Sequence, residues 1–157
     1  MEKELYTLLF YYLVASIPGT TIMTCMMYLY QFILKKETRV IHIFGTMLTG
    51  GAYKEGFISK HPKVVITGII AHFSIGLVFS FFYWLILGIN ISLNFLEILY
   101  IGSLSGFAAI ITWYSYFLLH RNPPEISIFH YAIALWIAHI LFAAGTLYFL
   151  KFLIGYF

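Results

Sequence analysis

The 157-residue chain predicts an all-α protein, a four-helix transmembrane bundle of up-and-down topology with both termini on the non-cytoplasmic side. Three observations carry that expectation. Hydrophobic residues make up 62% of the chain and charged residues 10%, against roughly 25% charged in soluble domains. Four runs reach the ~20 apolar residues that a bilayer-spanning helix needs. Their length and the absence of period-two alternation mark them as helices rather than strands. With a mean hydropathy of +0.91, so much apolar surface does not fit inside a soluble fold of this size. The bilayer is the solvent expected for most of the chain, which reads as one domain, 1–157.

The first span is expected over about 8–34. It is too long for a signal peptide, its leading Met-Glu-Lys-Glu is not net positive, and Lys35-Lys36 looks like a stop. Pro18-Gly19 in its upper half predicts a kink. Ala15, Gly19 and Met23 share a stripe, with Ser16 and Thr20 beside it, and read as a packing face. Cys25 is the only cysteine, which excludes an internal disulfide and a multi-cysteine metal site; its place within the span predicts a small buried residue. Segment 35–63 reads as a cytoplasmic interfacial loop. Within it Val40–Phe44, Met47 and Leu48 are apolar enough for a short helix on the membrane surface, and Gly45, Gly50, Gly51 and Gly56 break up anything longer. Tyr53-Lys54-Glu55-Gly56 reads as a wet loop.

The second span, about 64–87, opens at His61-Pro62-Lys63, where proline in a first turn costs no helix bond. It ends in the cluster Phe79, Phe81, Phe82, Tyr83 and Trp84, which fits an interfacial belt. Residues 89–94 are a short outer connection, predicting that the second and third spans are antiparallel neighbours. The third span, about 97–119, carries Gly102-Ser103-Leu104-Ser105-Gly106, a GxxxG packing signal continued by Ala109 and Trp113. It stops at His120-Arg121-Asn122-Pro123-Pro124. The fourth span, about 128–154, places His130, Trp136, His139, Ala143 and Ala144 along its length and brings Tyr156 and Phe157 to the outer boundary.

Orientation follows from the basic residues. Lys35, Lys36, Arg39, Lys54, Lys60, Lys63 and Arg121 fall on one side, Lys3 and Lys151 on the other. The positive-inside rule puts the richer side in the cytoplasm and both termini outside it. So concentrated a positive charge encodes topology; it is no nucleic-acid signal.

Function must come from the few polar residues within the spans. His72 is flanked by Gly68 and Gly76 on one helical stripe, and His139 is followed four residues later by Ala143. Each histidine lies nine residues in from the cytoplasmic boundary, roughly 13.5 Å at 1.5 Å per residue, close to the midplane of a ~30 Å core. Diagonally opposed across a ring of helices, two such imidazoles match the axial ligation of b-type haem, with Gly68, Gly76 and Ala143 making room for the macrocycle. The plainer reading of the same residues is helix packing, each imidazole bonded to a hydroxyl or carbonyl of a neighbour. Met23 is a conceivable thioether ligand but is more simply filler. His61, His120 and His130 map with His42 to the cytoplasmic boundary, and the first three are candidate surface metal ligands, imidazole suiting zinc, copper, iron and nickel. Paired carboxylates, HExxH and Ser-His-acid spacing are absent from the sequence, so catalysis is not expected. The only acid near a span is Glu97, so a transporter or channel would need an oligomer and a polar path past it.

Gly19-Thr20-Thr21-Ile22-Met23-Thr24, Ala71-His72-Phe73 with Ile75-Gly76, and the stretch from Trp136 to Gly145 around His139 resemble a group of small four-helix bacterial inner-membrane proteins of unknown function. The resemblance covers most of the chain and implies the fold and topology without an activity. The expectations are then a non-catalytic integral-membrane protein, an accessory or assembly subunit working with a membrane-protein partner or as a homo-oligomer. The alternatives are a haem b electron-transfer protein with axial His72 and His139, and a small oligomeric transporter or channel.

Overall fold

The computed structural model describes residues 2–50, 56–88 and 94–155. The expected wet loop at 53–55, the outer connection at 89–93 and the boundary residues Tyr156 and Phe157 lie outside the described residues. Five helices are described, in the order α1 (Glu2–Leu34), α2 (Val40–Leu48), α3 (Pro62–Leu87), α4 (Phe95–Leu119) and α5 (Ile128–Gly155). Four of them, α1, α3, α4 and α5, are long and apolar enough to cross a membrane. The first span begins earlier than the sequence predicts, the helix continuing back to Glu2. α1 also runs through Pro18 without a break.

Helix boundaries follow local chemistry. His61 caps α3, its ring nitrogen accepting from the Lys63 N–H, with Pro62 at the first helical position. Asn94 caps α4 through its side-chain oxygen, satisfying an N–H that would otherwise face lipid unpaired. Lys35 takes a left-handed conformation (φ 54°) directly after α1, turning the chain toward α2.

α1 and α5 form the central antiparallel pair, α4 flanks α5, α3 flanks α1, and α2 lies against α3. Half of the most apolar stretch of α5 is buried but only 28% of those of α3 and α4, so the latter two are the outer helices of an open row. Phe10, Ile17, Phe32, Ile70, Ile86 and Ile111 are among the large side chains left on the outside, as lipid requires. Cys25 is also exposed, against the expectation of a buried residue, because the buried stripe of α1 runs through Ala15, Met23 and Met27 and leaves position 25 on the far face.

Small residues set every close crossing. A Cβ on Gly19 would strike Thr146 and the Phe142 carbonyl, and Gly145 packs back onto Gly19. On α4 the GxxxG pair meets α5: a Cβ on Gly102 would lie 2.6 Å from the Ile140 Cα, and one on Gly106 2.8 Å from Trp136. Gly76 receives the Thr20 hydroxyl of α1. The sequence expectation that these are packing faces holds.

Helix α2 is short, as predicted, and it is docked against α3. Val40, Ile41, Ile43, Gly45, Thr46 and Met47 are buried. Its backbone closes onto α3, where Gly45 meets the Val64 carbonyl and Gly68 the Ile41 carbonyl. Thr46 Oγ1 accepts from the Ser59 N–H at 3.0 Å and the Met47 carbonyl from His120 Nε2–H at 2.9 Å. Upstream, the Thr38 hydroxyl donates to the Met27 carbonyl, and the Arg39 guanidinium grips Glu37 through both carboxylate oxygens at 2.8 and 2.6 Å.

His42 lies beside this ion pair, bonded through Nδ1 to the Tyr28 hydroxyl at 3.0 Å. Burial, together with the positive charges of Arg39 and Lys60, holds its imidazole below the ordinary value of 6.5 against the opposing pull of Glu37. Burial would raise the Glu37 carboxyl, but its hydrogen bonds to Arg39 and the charges of Arg39 and His42 hold it lower than usual.

Two outcomes are expected. Gly102→Val destabilises the bundle by about 1–3 kcal/mol through overpacking, read as unfolding in mixed micelles of rising denaturing-detergent fraction, whereas Gly155→Val, with open space around it, leaves the midpoint unchanged. Docking of α2 is strongest above the unfolded imidazole value of 6.5 and weakens as pH falls through it toward the lowered folded value, because the unfolded state then binds the proton more readily. Faster amide hydrogen exchange in α2 between pH 7 and pH 5, after correction for intrinsic rates, checks this; unchanged protection would contradict it.

Candidate functional site: a cleft between the flanking helices

Helices α3 and α4 follow one another in sequence but are not packed together as expected. Their buried glycines are used elsewhere: Gly68 on α2, Gly76 on α1, Gly102 and Gly106 on α5. A cleft of about 790 Å³ opens between the two helices. Phe79, Phe82, Tyr83, Trp113 and Phe142 line it along with Leu104, Ala108 and Ala109, and Val40 and Phe44 of α2 contribute at one end. No charged side chain lies on its wall. One hydrogen bond crosses it, between Tyr83 Oη and Ser105 Oγ at 2.8 Å. The Ser105 proton is directed at the Ile101 and Gly102 carbonyls, so Tyr83 is the donor.

The structure brings His72 and His139 to this one cleft, each about 3% exposed. Proton counting fixes their tautomers. Thr24 gives its only hydroxyl proton to the Thr20 carbonyl at 2.7 Å. The 3.0 Å contact between Thr24 Oγ1 and His72 Nε2 is therefore donated by the imidazole. His139 Nδ1 donates to the Leu135 carbonyl at 2.8 Å. With no carboxylate on the wall to balance an imidazolium, both rings are neutral. His72 keeps a free lone pair on Nδ1 and His139 one on Nε2.

Two more polar groups on the wall are incomplete: Trp113 Nε1 and Thr20 Oγ1 are buried without a hydrogen-bond partner. Buried polar groups left unpaired are uncommon in folded proteins and ask for an explanation. Sequence reading singles out Trp113 as a packing residue and Thr20 as a packing neighbour and a hydroxyl open to an imidazole, since nothing in a sequence shows which hydroxyls find a carbonyl.

The residues present do not fit a bis-histidine haem. His72 Nε2 is engaged by Thr24. The gaps over Gly68 and Gly76 are filled by the Ile41 carbonyl and the Thr20 hydroxyl, and Ala143 packs against the position of a Gly102 Cβ. The Phe79 ring stands edge-on to His139 at 5.1 Å, inside the space the macrocycle needs. No Lys or Arg reaches the cleft to pair a propionate. Met23 lines the cleft beside His72.

The boundary histidines do not assemble into a metal site: among the described residues no group of three or more His, Cys, Asp or Glu forms. Each is taken up locally. His61 caps α3, His120 donates to Met47 and accepts from the Asn122 N–H at 3.2 Å, and His130 Nδ1 pairs with the Ser127 hydroxyl at 2.8 Å. Glu97 is exposed near the start of α4 and lies off the cleft wall, so no acidic path enters the bundle there.

The hydrogen-bond pattern has a direct spectroscopic consequence. Nitrogen-15 NMR of histidine-labelled protein at neutral pH is expected to show His72 as the Nε2–H tautomer and His139 as the less common Nδ1–H tautomer. Thr24→Val should release the His72 ring to exchange between tautomers; an unchanged His72 signal would mean that Thr24 does not hold it. Comparison of the chain with protein-family models, with curated proteins and with solved structures finds no match to any of them.

Proposed function

We propose that this multi-pass membrane protein is a non-catalytic intramembrane binding protein, which takes an amphiphilic small molecule from the lipid phase into the cleft between α3 and α4. One observation carries the reading: an apolar chamber of about 790 Å³ whose wall holds two imidazoles, each with an unused nitrogen. Ligand sites are characteristically apolar concavities with a few convergent polar groups. Aromatic rings of α3, α4 and α5, among them Phe79, Trp113 and Phe142, line the chamber.

The cleft favours a small molecule over a partner's transmembrane helix. A helix is about 10 Å across with its side chains, and laying one along the cleft would break the Tyr83–Ser105 bond. An accessory role in a larger complex would therefore use the outer lipid-facing surface. The excess of basic residues around α2 supports placing that end of the bundle in the cytoplasm and the protein in an inner membrane. The entrance between α3 and α4 would then face the lipid.

Purified in mild detergent, the wild-type protein is expected to carry near one equivalent of a lipophilic molecule, seen by native mass spectrometry and identified after solvent extraction. Ala109→Trp, which fills the cleft, should lose it while keeping its helical circular dichroism. Identical lipid content in both folded proteins would overturn the reading.

A further inference from the structure

The polar inventory of the cleft specifies the head of its ligand. We propose, on the reading that the cleft holds a small molecule, that the occupant carries aromatic hydroxyls (a hydroquinone or an alkylphenol with an apolar tail) and that the cleft selects this form over the quinone or ether. Thr24 and Leu135 take the one proton of each imidazole, so His72 Nδ1 and His139 Nε2 offer the cleft lone pairs only. A ligand that brought only acceptors, such as a quinone carbonyl or an ether oxygen, would set lone pair against lone pair. A hydroxyl donates.

The two acceptors belong to different helices. Phe79, seven residues along α3 from His72, stands against His139 of α5. Hydroxyls at opposite ends of a benzene ring diverge, which suits two separated acceptors better than a single alcohol does. The Thr20 hydroxyl oxygen and the Trp113 indole nitrogen are themselves sealed from the cleft, the former against Gly76, so the accessible polar groups of the two imidazoles set the preference. The aromatic walls supply faces and edges for the ring. The remaining lining, including Ile75, Val78, Ile86 and Leu104, is apolar and suits the tail. The assignment is one of binding; no electron or proton transfer is part of it.

The test uses the full chain in nanodiscs under anaerobic conditions and three probes with the same tail: 2-decylhydroquinone, 2-decyl-1,4-benzoquinone and 2-decyl-1,4-dimethoxybenzene. The hydroquinone is expected to bind about tenfold to a hundredfold more tightly than the other two, the range set by leaving a buried acceptor unpaired. His72→Phe and His139→Phe should each shrink that preference. Should either variant fail to fold, the wild-type protein still decides: hydroquinone should move the nitrogen-15 signals of His72 Nδ1 and His139 Nε2 toward the hydrogen-bonded range, and the quinone should not. Equal affinity for all three probes would overturn the head-group assignment while leaving the cleft as a tail-binding site. No binding of any probe, beside a resident lipid that Ala109→Trp expels, would also overturn it and leave the cleft reading standing. No probe and no resident lipid would remove both.

Discussion

In lipid, two helices gain little by hiding apolar surface from each other, so close backbone approach decides which pairs associate. That constraint organises this protein. Gly19 with Gly145, Gly102 and Gly106 with Ile140 and Trp136, Gly76 with Thr20, and Gly45 with Gly68 settle four helix pairs. Each contact uses a glycine of at least one partner. The pair α3–α4 has no such glycine contact, although it is the pair that a short connection would be expected to bring together. The cleft lies where the glycines face elsewhere, and Phe79, Phe82 and Trp113 are among the side chains that line it.

A second constraint is the scarcity of hydrogen-bond partners in an apolar solvent. Hydroxyls on the spans mostly answer it within their own helix: Ser16 to Leu13, Thr21 to Ile17, Thr24 to Thr20, Thr67 to Lys63 and Ser105 to Ile101 all donate to carbonyls one turn back. Each donation leaves the hydroxyl oxygen able to accept. Thr24 uses that capacity for His72 and Ser105 uses it for Tyr83. The chain of single protons therefore reaches the cleft with a definite outcome, two imidazoles oriented by their bonded nitrogens and left with acceptors facing outward from those bonds. An arrangement in which the bonded N–H fixes the ring and the other nitrogen is kept free is the one proteins use wherever an imidazole must meet a ligand in a set orientation.

Helix α2 links these features. It closes one end of the cleft with Val40 and Phe44, and it does so because Gly45 and Gly68 let its backbone reach α3. Its seat is held by polar contacts at the bundle end, through Thr46, Met47 and the Glu37–Arg39 pair.

The sequence by itself determined the class, the four spanning helices and their packing faces, because apolar length and small-residue spacing are properties of single segments. Helix rotation and neighbour choice belong to the tertiary structure alone, because they depend on which glycine meets which backbone across the bundle. That is why the boundary histidines His61, His120 and His130 turn out to be caps and tethers, why α2 is docked against α3, and why Gly68 and Gly76 receive a carbonyl and a hydroxyl in place of a flat ligand. The tautomers of the two central histidines were likewise decided only in three dimensions, by Thr24 from another helix and by the Leu135 carbonyl of their own.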